Sequence, residues 1–309
     1  MSYKINQYLH AVNLMKTSSI FCGDTGGGVF KVKSYPFILN DCNNNLYPQV
    51  KNDILDYFEK NGISWWNGKL TNHTLSSQVA CLNHLFPIRE DKDAVLSIIK
   101  RISSDITDVL RITTDQNKPA YIQFEAVSDF DHLNEIKPSR GRNCTSIDAL
   151  IYGVHKDGRK ILFPIEWKYV EAYYNENKAS GEKGVTRKRR YTDLINKSAQ
   201  LKSDNHDIFY FEPFYQLMRQ TLWAEQMIAN KDTETLQADD YMNIHVIPSE
   251  NRELLYKVYS CSGKGMEETW RSSIKNQNKY KIVSPEDLFS PINLLQFQSL
   301  IDYLKTRYW

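Results

Sequence analysis

Apolar residues that recur every three or four positions predict helices, because that spacing lines one face of a helix. Such spacing covers residues 50–61, 75–85, 93–103, 213–229 and 291–306. Thr74 or Ser76 can cap the second stretch, and Pro213 suits the first turn of the fourth. Helices are therefore predicted in both halves of the chain.

Runs rich in β-branched and aromatic residues predict strands in the middle of the chain. They cover residues 119–127, 145–154, 160–168 and 241–248, and Asp157-Gly158 is a turn signal between the second and the third. The order of helix, three strands, helix and strand predicts an α/β fold. We expect a three-layer αβα sandwich with a central mixed sheet.

The organisation of the chain is predicted to be one continuous domain, because no stretch has the composition of a linker. Residues 71–250 would form the core. Residues 1–70 would be an N-terminal elaboration packed on it, and residues 251–309 a C-terminal α/β elaboration. Thr25-Gly26-Gly27-Gly28 resembles a phosphate-binding loop but lacks the Gly-Lys-Ser/Thr ending, so a flexible turn is the preferred interpretation.

Composition narrows the class of protein. The 39 Lys and Arg residues nearly balance the 37 Asp and Glu residues, so any contact with nucleic acid must come from local patches. The five cysteines are widely spaced without a Cys-x-x-Cys pair, which argues against a disulfide framework and against a zinc site. A cytoplasmic location is expected, because we find neither a signal-peptide pattern nor the run of about 20 apolar residues that a membrane helix needs.

Candidate chemistry begins with the Glu-x-Lys triplet. Four such triplets occur, at residues 90–92, 135–137, 166–168 and 176–178, and three of them lie in polar stretches. Only Glu166-Trp167-Lys168 ends an apolar strand, where charged residues are costly unless they are paired or bound to metal. Since alternate residues of a strand share a face, Glu166 and Lys168 should point the same way.

A second carboxylate follows from the turn before this strand. Lys156-Asp157-Gly158 fits a three-residue loop that pairs His155 with Arg159. That register places Asp148 directly opposite Glu166, with Cβ atoms about 5 Å apart. A two-residue turn would instead oppose Asp148 to Trp167 and scatter the group.

Two adjacent carboxylates repel each other, and a divalent cation removes the conflict. Oxygen ligands suit Mg²⁺, for which Mn²⁺ can substitute, rather than zinc. Such a metal can activate a water and stabilise the leaving oxygen of a phosphodiester. Lys168 would supply a positive charge beside the reacting phosphate.

These residues resemble a known motif. Ile147-Asp148, followed by Glu166-Trp167-Lys168 on the next strand, resembles the PD-(D/E)XK nuclease superfamily of restriction-endonuclease-like folds. Further stretches are similar to a bacterial group of restriction-like proteins without an assigned activity, and they lie at residues 63–66, 75–78, 83–86, 164–168 and 215–219. The resemblance covers roughly residues 50–250. Ile147 replaces the proline of the motif, at a position that varies in the superfamily.

The resemblance implies a restriction-endonuclease-like core of order αβββαβ, with Asp148, Glu166 and Lys168 as catalytic residues. It implies that Asp148, Glu166 and a further acid, Glu125, hold the metal. In related nucleases a Glu or Gln lies near the metal on the preceding helix, where this chain has Gln78. For Glu125 the simpler interpretation is a solvated acid at a strand end, and for Gln78 a helix-face glutamine.

Gln216 and Arg219 share one face of the helix at 213–229. A polar helix stripe is the simpler interpretation for both, and Gln216 is kept as a residue that would support the metal ligands.

Two groups of cations are candidates for DNA contact. Arg140 and Arg142 precede the strand of Asp148, and the Arg fork fits phosphate. The four consecutive cations Arg187, Lys188, Arg189 and Arg190 follow the Glu166 strand. A solvated loop is the alternative for each group, and we favour contact with the DNA backbone for the second.

The predicted function is a Mg²⁺-dependent endonuclease that cuts duplex DNA as a type II restriction-like enzyme. A structure-selective or repair nuclease, such as a junction resolvase, is an alternative, because the fold class hosts both. Another is a DNA-binding module that does not cut. The last is a scaffold in which Glu166 and Lys168 form only an ion pair. By analogy with restriction enzymes the protein could act as a homodimer.

Overall fold

The computed structural model describes residues 2–65, 68–116, 118–136, 139–141, 143–292 and 294–309. The helices of these ranges are α1 (Tyr3–Thr17), α2 (Lys51–Lys60), α3 (Ser77–Leu85), α4 (Lys92–Ile102), α5 (Gly181–Lys197), α6 (Phe214–Ala229), α7 (Arg252–Leu255), α8 (Met266–Ser273), α9 (Pro285–Phe289) and α10 (Leu294–Arg307). The strands are β1 (Val29–Phe30), β2 (Lys33–Ser34), β3 (Ile106–Leu110), β4 (Ile122–Ala126), β5 (Ile147–His155), β6 (Lys160–Trp167), β7 (Asp240–Tyr241), β8 (Asn243–Val246) and β9 (Tyr280–Val283).

The main sheet is mixed, as the order of elements predicted. Strand β6 pairs antiparallel with β5 and parallel with β7 and β8, and β9 extends the parallel part beyond β8. On the other edge of β5, strands β3 and β4 pair one after the other, both antiparallel. Strands β1 and β2 form a separate hairpin.

The turn between β5 and β6 has the predicted three-residue loop. His155 N donates to Arg159 O at 2.9 Å, Gly158 N donates to His155 O at 2.8 Å, and Gly158 has φ +89°. The ladder then runs from Val154–Lys160 to Ala149–Ile165, so the predicted register is confirmed.

Alternate residues of β5 and β6 pack into two cores on opposite faces of the sheet. Ala149 and Phe163 join the core that includes residues of α2, α3, α4 and α10. Leu150 and Leu162 join the core that includes residues of α5, α6 and α8. Helices therefore cover both faces, and the chain is a mixed α/β protein.

Several elements differ from the prediction. The four consecutive cations at 187–190 do not lie in a solvated loop, the alternative considered for them, because helix α5 begins at Gly181 and buries Tyr191 and Ile195 one turn apart. The strand predicted at 241–248 is divided into β7 and β8. The division falls opposite Phe163 and Pro164 of β6, and proline has no N–H to donate to a ladder.

The described residues of the N-terminal elaboration include elements that the sequence pattern did not predict. Helix α1 opens with Ser2 as its cap, which accepts from Ile5 N at 3.2 Å. The glycines at 26–28 do not form a flexible turn: they lead into the hairpin β1–β2. At Gly28 a Cβ would lie 2.0 Å from the carbonyl oxygen of Leu39, so this close approach requires glycine.

Candidate active site

Three charged side chains meet where β5 begins and β6 ends. Asp148 is the second residue of β5, Glu166 lies near the end of β6, and Lys168 follows that strand. The Trp167 amide donates to Asp148 Oδ2 at 2.8 Å, and Lys168 Nζ lies 2.5 Å from Glu166 Oε1. Glu166 and Lys168 are only 6% and 5% exposed. The two side chains lie on the same face of the sheet, as strand alternation predicted.

A third carboxylate, Glu125, lies on β4 beside Asp148. The pairs Phe124–Ala149 and Ala126–Ile147 bracket it, so the register sets Glu125 opposite Asp148. Glu125 has φ +48°, a left-handed conformation that is unusual for a residue with a side chain. Strained backbone of this kind is concentrated at functional sites.

The Glu125 carboxylate is held by two donors. Gln78 Nε2, from the first turn of α3, donates to Oε1 at 2.6 Å, and Ser146 Oγ donates to Oε2 at 2.7 Å. The structure therefore brings Gln78 and Glu125 together, which the resemblance implied only as neighbours of a common metal.

Helix α6 supplies two side-chain amides that face Glu166 and Lys168. Gln216 Oε1 accepts from Lys168 Nζ, and Gln220 Nε2 donates to Glu166 Oε2. These two glutamines are four residues apart, so they lie on the same face of the helix. Gln220 was missed in the sequence, although its spacing from Gln216 on a mostly apolar helix was a usable signal.

Arg219 also lines the cleft and belongs to a second network. Its Nε donates to Thr145 Oγ1 at 3.0 Å and its Nη2 to Glu135 Oε1 at 3.1 Å. Glu135 in turn accepts from Thr145 N and from the hydroxyl of Tyr191 on α5. This network connects the wall of the cleft to helix α5.

The electrostatics of the site follow from its burial. Burial raises the pKa of Asp148 well above its ordinary value, and the charges of Glu166 and Glu125 raise it further. Burial also raises the pKa of Glu125, against the lowering effect of its two hydrogen-bond donors. Burial alone would lower the pKa of Lys168, but the nearby acids, Glu166 first, raise it well above its ordinary value, so Lys168 is protonated at neutral pH.

The carboxylates lie in a cavity of about 690 Å³. Its lining includes the start of α3, the polar face of α6, and Phe30 and Lys31 from the hairpin β1–β2. Lys69 and His73 also line it. The N-terminal 70 residues therefore form part of the wall around Asp148 and Glu166.

The donor chemistry fits a hard divalent cation. Three carboxylates repel one another here, and oxygen ligands are those that Mg²⁺ prefers. Hydrogen-bond donors engage at least one oxygen of each carboxylate. In the described ranges, however, no group of three or more His, Cys, Asp or Glu side chains has the arrangement of a metal site. To bind one metal together, Asp148, Glu166 and Glu125 would thus need to give up some of these hydrogen bonds in favour of metal coordination.

The predicted DNA-contacting cations have different surroundings. Arg140 points inward: its Nη1 donates to Asp115 Oδ1 at 2.8 Å and its Nε to Glu125 O at 3.0 Å. Its guanidinium therefore holds the backbone of Glu125 and is mostly hidden from solvent. Arg142 lies outside the described residues.

The other four cations lie on α5. Arg187 is half-buried, with Nη1 donating to Lys178 O at 2.9 Å, and Arg190 is half-buried as well. Lys188 and Arg189 are exposed. Two of the four therefore project into solvent from a helix whose buried face, through Tyr191, touches the network behind the cleft.

Fold and site together define a class: a mixed α/β protein with a cleft that holds buried carboxylates beside one lysine. The helices of the described ranges are too short or too polar to cross a bilayer. The chain belongs to the family described as Restriction Endonuclease associating with ARP, which matches residues 15–309. Neither the curated proteins nor the solved structures compared with the chain include a match. Membership of this family indicates a nuclease-like function with DNA as the substrate.

Proposed function

We propose that the protein is a Mg²⁺-dependent endonuclease of the PD-(D/E)XK superfamily that hydrolyses phosphodiester bonds of duplex DNA as a type II restriction-like enzyme. The observation that carries the proposal is the convergence of Asp148, Glu166 and Lys168 on one face of the sheet, in one cleft. The family match supports the nuclease class.

Asp148, Glu166 and Glu125 would hold the metal. When bound, the metal would lower the pKa of a water and offset charge on the phosphate. Gln220 and Gln78 would orient Glu166 and Glu125 through the hydrogen bonds described above.

Lys168 has an electrostatic role in this proposal. The acids around it, Glu166 first, raise the pKa of Lys168 against the effect of burial and so favour its charged form. As a cation in a buried site it would stabilise the charge that develops on the phosphate, where the low dielectric strengthens its effect. Gln216 holds the ammonium group in place.

Substitution of the three central residues tests the proposal. Asp148→Ala, Glu166→Ala and Lys168→Ala should each reduce Mg²⁺-dependent cleavage of genomic DNA at least roughly a hundredfold, because each removes a metal ligand or a charge beside the phosphate. Cleavage is followed on duplex, single-stranded and branched DNA side by side. Activity confined to branched DNA would contradict the restriction-like assignment.

The chain contains its own control for these variants. Glu176 and Lys178 form another Glu-x-Lys triplet, with an ion pair at 2.9 Å, and Glu176 is exposed. Glu176→Ala and Lys178→Ala should leave cleavage unchanged. Full activity in a folded Asp148→Ala or Glu166→Ala protein would overturn the proposal.

Metal binding gives a readout that does not require cleavage. Mn²⁺ should bind the wild-type chain in a direct titration, and Asp148→Ala should weaken that binding. Absence of Mn²⁺ and Mg²⁺ binding would instead favour a DNA-binding module that does not cut. The family description names association with ARP, so we propose that the nuclease acts beside such a partner and that cleavage be compared with and without it.

A further inference from the structure

The hairpin β1–β2 is a short ribbon next to the cleft. Val29–Phe30 pairs antiparallel with Lys33–Ser34, and a two-residue turn, Lys31-Val32, joins the strands. Phe30 and Lys31 line the same cavity as Asp148 and Glu166. Material bound over the carboxylates would therefore meet this ribbon.

The turn at the tip is strained. Lys31 has φ +47° and Val32 has φ +64°, so both central residues occupy the left-handed region. Turns of this type favour Asn-Gly or Asp-Gly, and a β-branched residue there is an outlier. The chain thus keeps valine where asparagine or glycine would give a more stable hairpin.

Val32 is also almost fully exposed to solvent. The Val32 side chain is 95% exposed and that of Val29 is 62% exposed, so neither supports the core. Exposed lysines, Lys31 and Lys33, flank Val32. Val32 therefore has no role in packing the core. The two lysines match the charge of a polyanion, and the apolar side chain between them matches apolar groups in a groove of that polyanion.

The base of the hairpin is rigidly held, in contrast to its tip. Gly28 N donates to Ile38 O at 2.8 Å, Tyr35 N donates to Gly28 O at 3.1 Å, and Ser34 Oγ donates to Gly27 O at 2.6 Å. A Cβ at Gly28 could not fit there.

An aromatic contact fixes the strand next to the tip. Phe30 packs edge-on against His73, with ring centroids 4.9 Å apart, and His73 is itself part of the cleft lining. These contacts hold the tip in position relative to the cleft. The hairpin would therefore lose little conformational entropy when it binds a ligand.

We propose that the hairpin β1–β2 contacts duplex DNA that lies across the cleft, with Val32 in the major groove and Lys31 and Lys33 against the adjacent phosphates. The inference rests on the proposed function for the choice of DNA as the ligand. The major groove admits a two-stranded ribbon, and an apolar side chain there can contact the methyl group of thymine. Val32 would thereby help to set which sequences are bound over the carboxylates.

Val32→Asn separates a binding role from a structural one. Asparagine suits the left-handed turn, so the thermal midpoint of unfolding should stay the same or rise. Affinity for a pool of short duplexes with a randomised centre should fall about tenfold, because the apolar contact is lost. Binding is measured with Ca²⁺ in place of Mg²⁺. An unchanged affinity together with unchanged cleavage sites would overturn the proposal.

Leu295→Asn is the matched control. Leu295 is 97% exposed and lies on α10, which contributes none of the described residues that line the cleft. The variant Leu295→Asn should leave affinity for the duplex pool unchanged. If both variants lose affinity equally, Val32 contributes only non-specific apolar contact, and that result would overturn the proposal.

Lys31→Gln and Lys33→Gln test the phosphate contacts. Each should reduce the slope of the logarithm of affinity against the logarithm of salt concentration by about 1. The same duplexes as separated strands should bind wild type and Val32→Asn alike, and discrimination that persists on single strands would overturn the groove contact. These outcomes are distinct from failure of the proposed function, in which wild type and Glu166→Ala would both leave DNA uncut whatever the hairpin binds.

Discussion

At the scale of single residues, Glu166 shows what a buried acid requires. One oxygen faces the ammonium of Lys168 and the other accepts from Gln220, so neither oxygen is left without a donor. A buried carboxylate without such partners would cost several kcal/mol, roughly the value found when one member of a buried pair is removed. The polar face of α6 is therefore part of the site and not a solvated stripe.

Gln220→Met should expose that dependence. Methionine has a similar volume but cannot donate to Glu166 Oε2. The carboxylate therefore loses one of the two groups that hold it in position. We expect Mn²⁺ affinity to fall about 10- to 100-fold, the usual effect of removing a group that orients a ligand. Calorimetric titration measures it.

Gln226→Met provides the comparison for this variant, because Gln226 lies on the same helix but does not line the cleft. Mn²⁺ affinity should be unchanged in it. Equal losses in the two variants would show that the effect comes from helix α6 as a whole.

The pairing of Asp148 with Glu166 could be predicted because it depends on local rules, namely strand alternation and the turn at Gly158. The inward orientation of Arg140 could not be predicted in the same way. It depends on Asp115, which is distant in sequence and reaches the guanidinium only through the folded loop after β3. Contacts between separate segments leave no local pattern.

At the scale of elements, α5 combines a buried face with a basic surface. Tyr191 and Ile195 face the core, while Lys188 and Arg189 face solvent. The four consecutive cations obscured this periodicity in the sequence, because charged residues occupy both the exposed and the half-buried positions. The hairpin β1–β2 escaped prediction for a different reason: its strands have two residues each and its turn lacks the usual Asn-Gly signal.

The double variant Lys188→Gln/Arg189→Gln tests whether α5 contacts DNA. Loss of two phosphate contacts should lower the salt dependence of duplex affinity by about 2 in logarithmic slope and weaken binding at low salt. Filter binding over a range of salt concentrations measures it. Because both residues are exposed, the stability of the fold should not change.

Helix α4 offers an adjacent pair of exposed cations, Lys100 and Arg101, and contributes no described residue to the cleft. The double variant Lys100→Gln/Arg101→Gln loses the same two positive charges as the α5 variant. A difference between the two variants therefore reports where the charges lie and not how many there are. If both double variants reduce the slope alike, α5 makes no specific contact.

At the scale of the whole molecule, His84 couples helix α3 to the last residue of the chain. Its Nδ1 donates to Ala80 O at 2.7 Å, and its Nε2 accepts from the indole N–H of Trp309 at 3.2 Å. Burial lowers the pKa of His84, the hydrogen bond to Ala80 raises it and the charge of Arg307 lowers it, and together they bring this pKa to about 3. The folded state therefore holds His84 neutral.

The contribution of His84 to stability should depend on pH. Because its pKa in the folded state lies below its ordinary value near 6.5, the contribution is complete above that value and decreases as pH falls toward 3. The stability advantage of wild type over His84→Gln should shrink by about 2 kcal/mol between pH 7 and pH 5. Urea unfolding at the two pH values measures it.

The informative quantity is the difference in unfolding free energy between wild type and His84→Gln, because other groups that titrate contribute equally to both. The raised pKa values of Asp148 and Glu125 act in the opposite direction, since groups that bind protons more readily in the folded state stabilise it as pH falls. A difference that stays constant or grows from pH 7 to pH 5 would contradict the assignment of His84 as neutral in the fold.

The interruption between β3 and β4 has a consequence for how the protein behaves at high concentration. An uninterrupted outer strand would present a row of free N–H and C=O groups on which another polypeptide could add itself, the first step of fibril growth. Here the chain leaves the sheet after Leu110 and returns at Ile122, so that row is broken into two five-residue pieces. The excursion that carries Asp115 to Arg140 thus also shortens the edge on which another chain could pair.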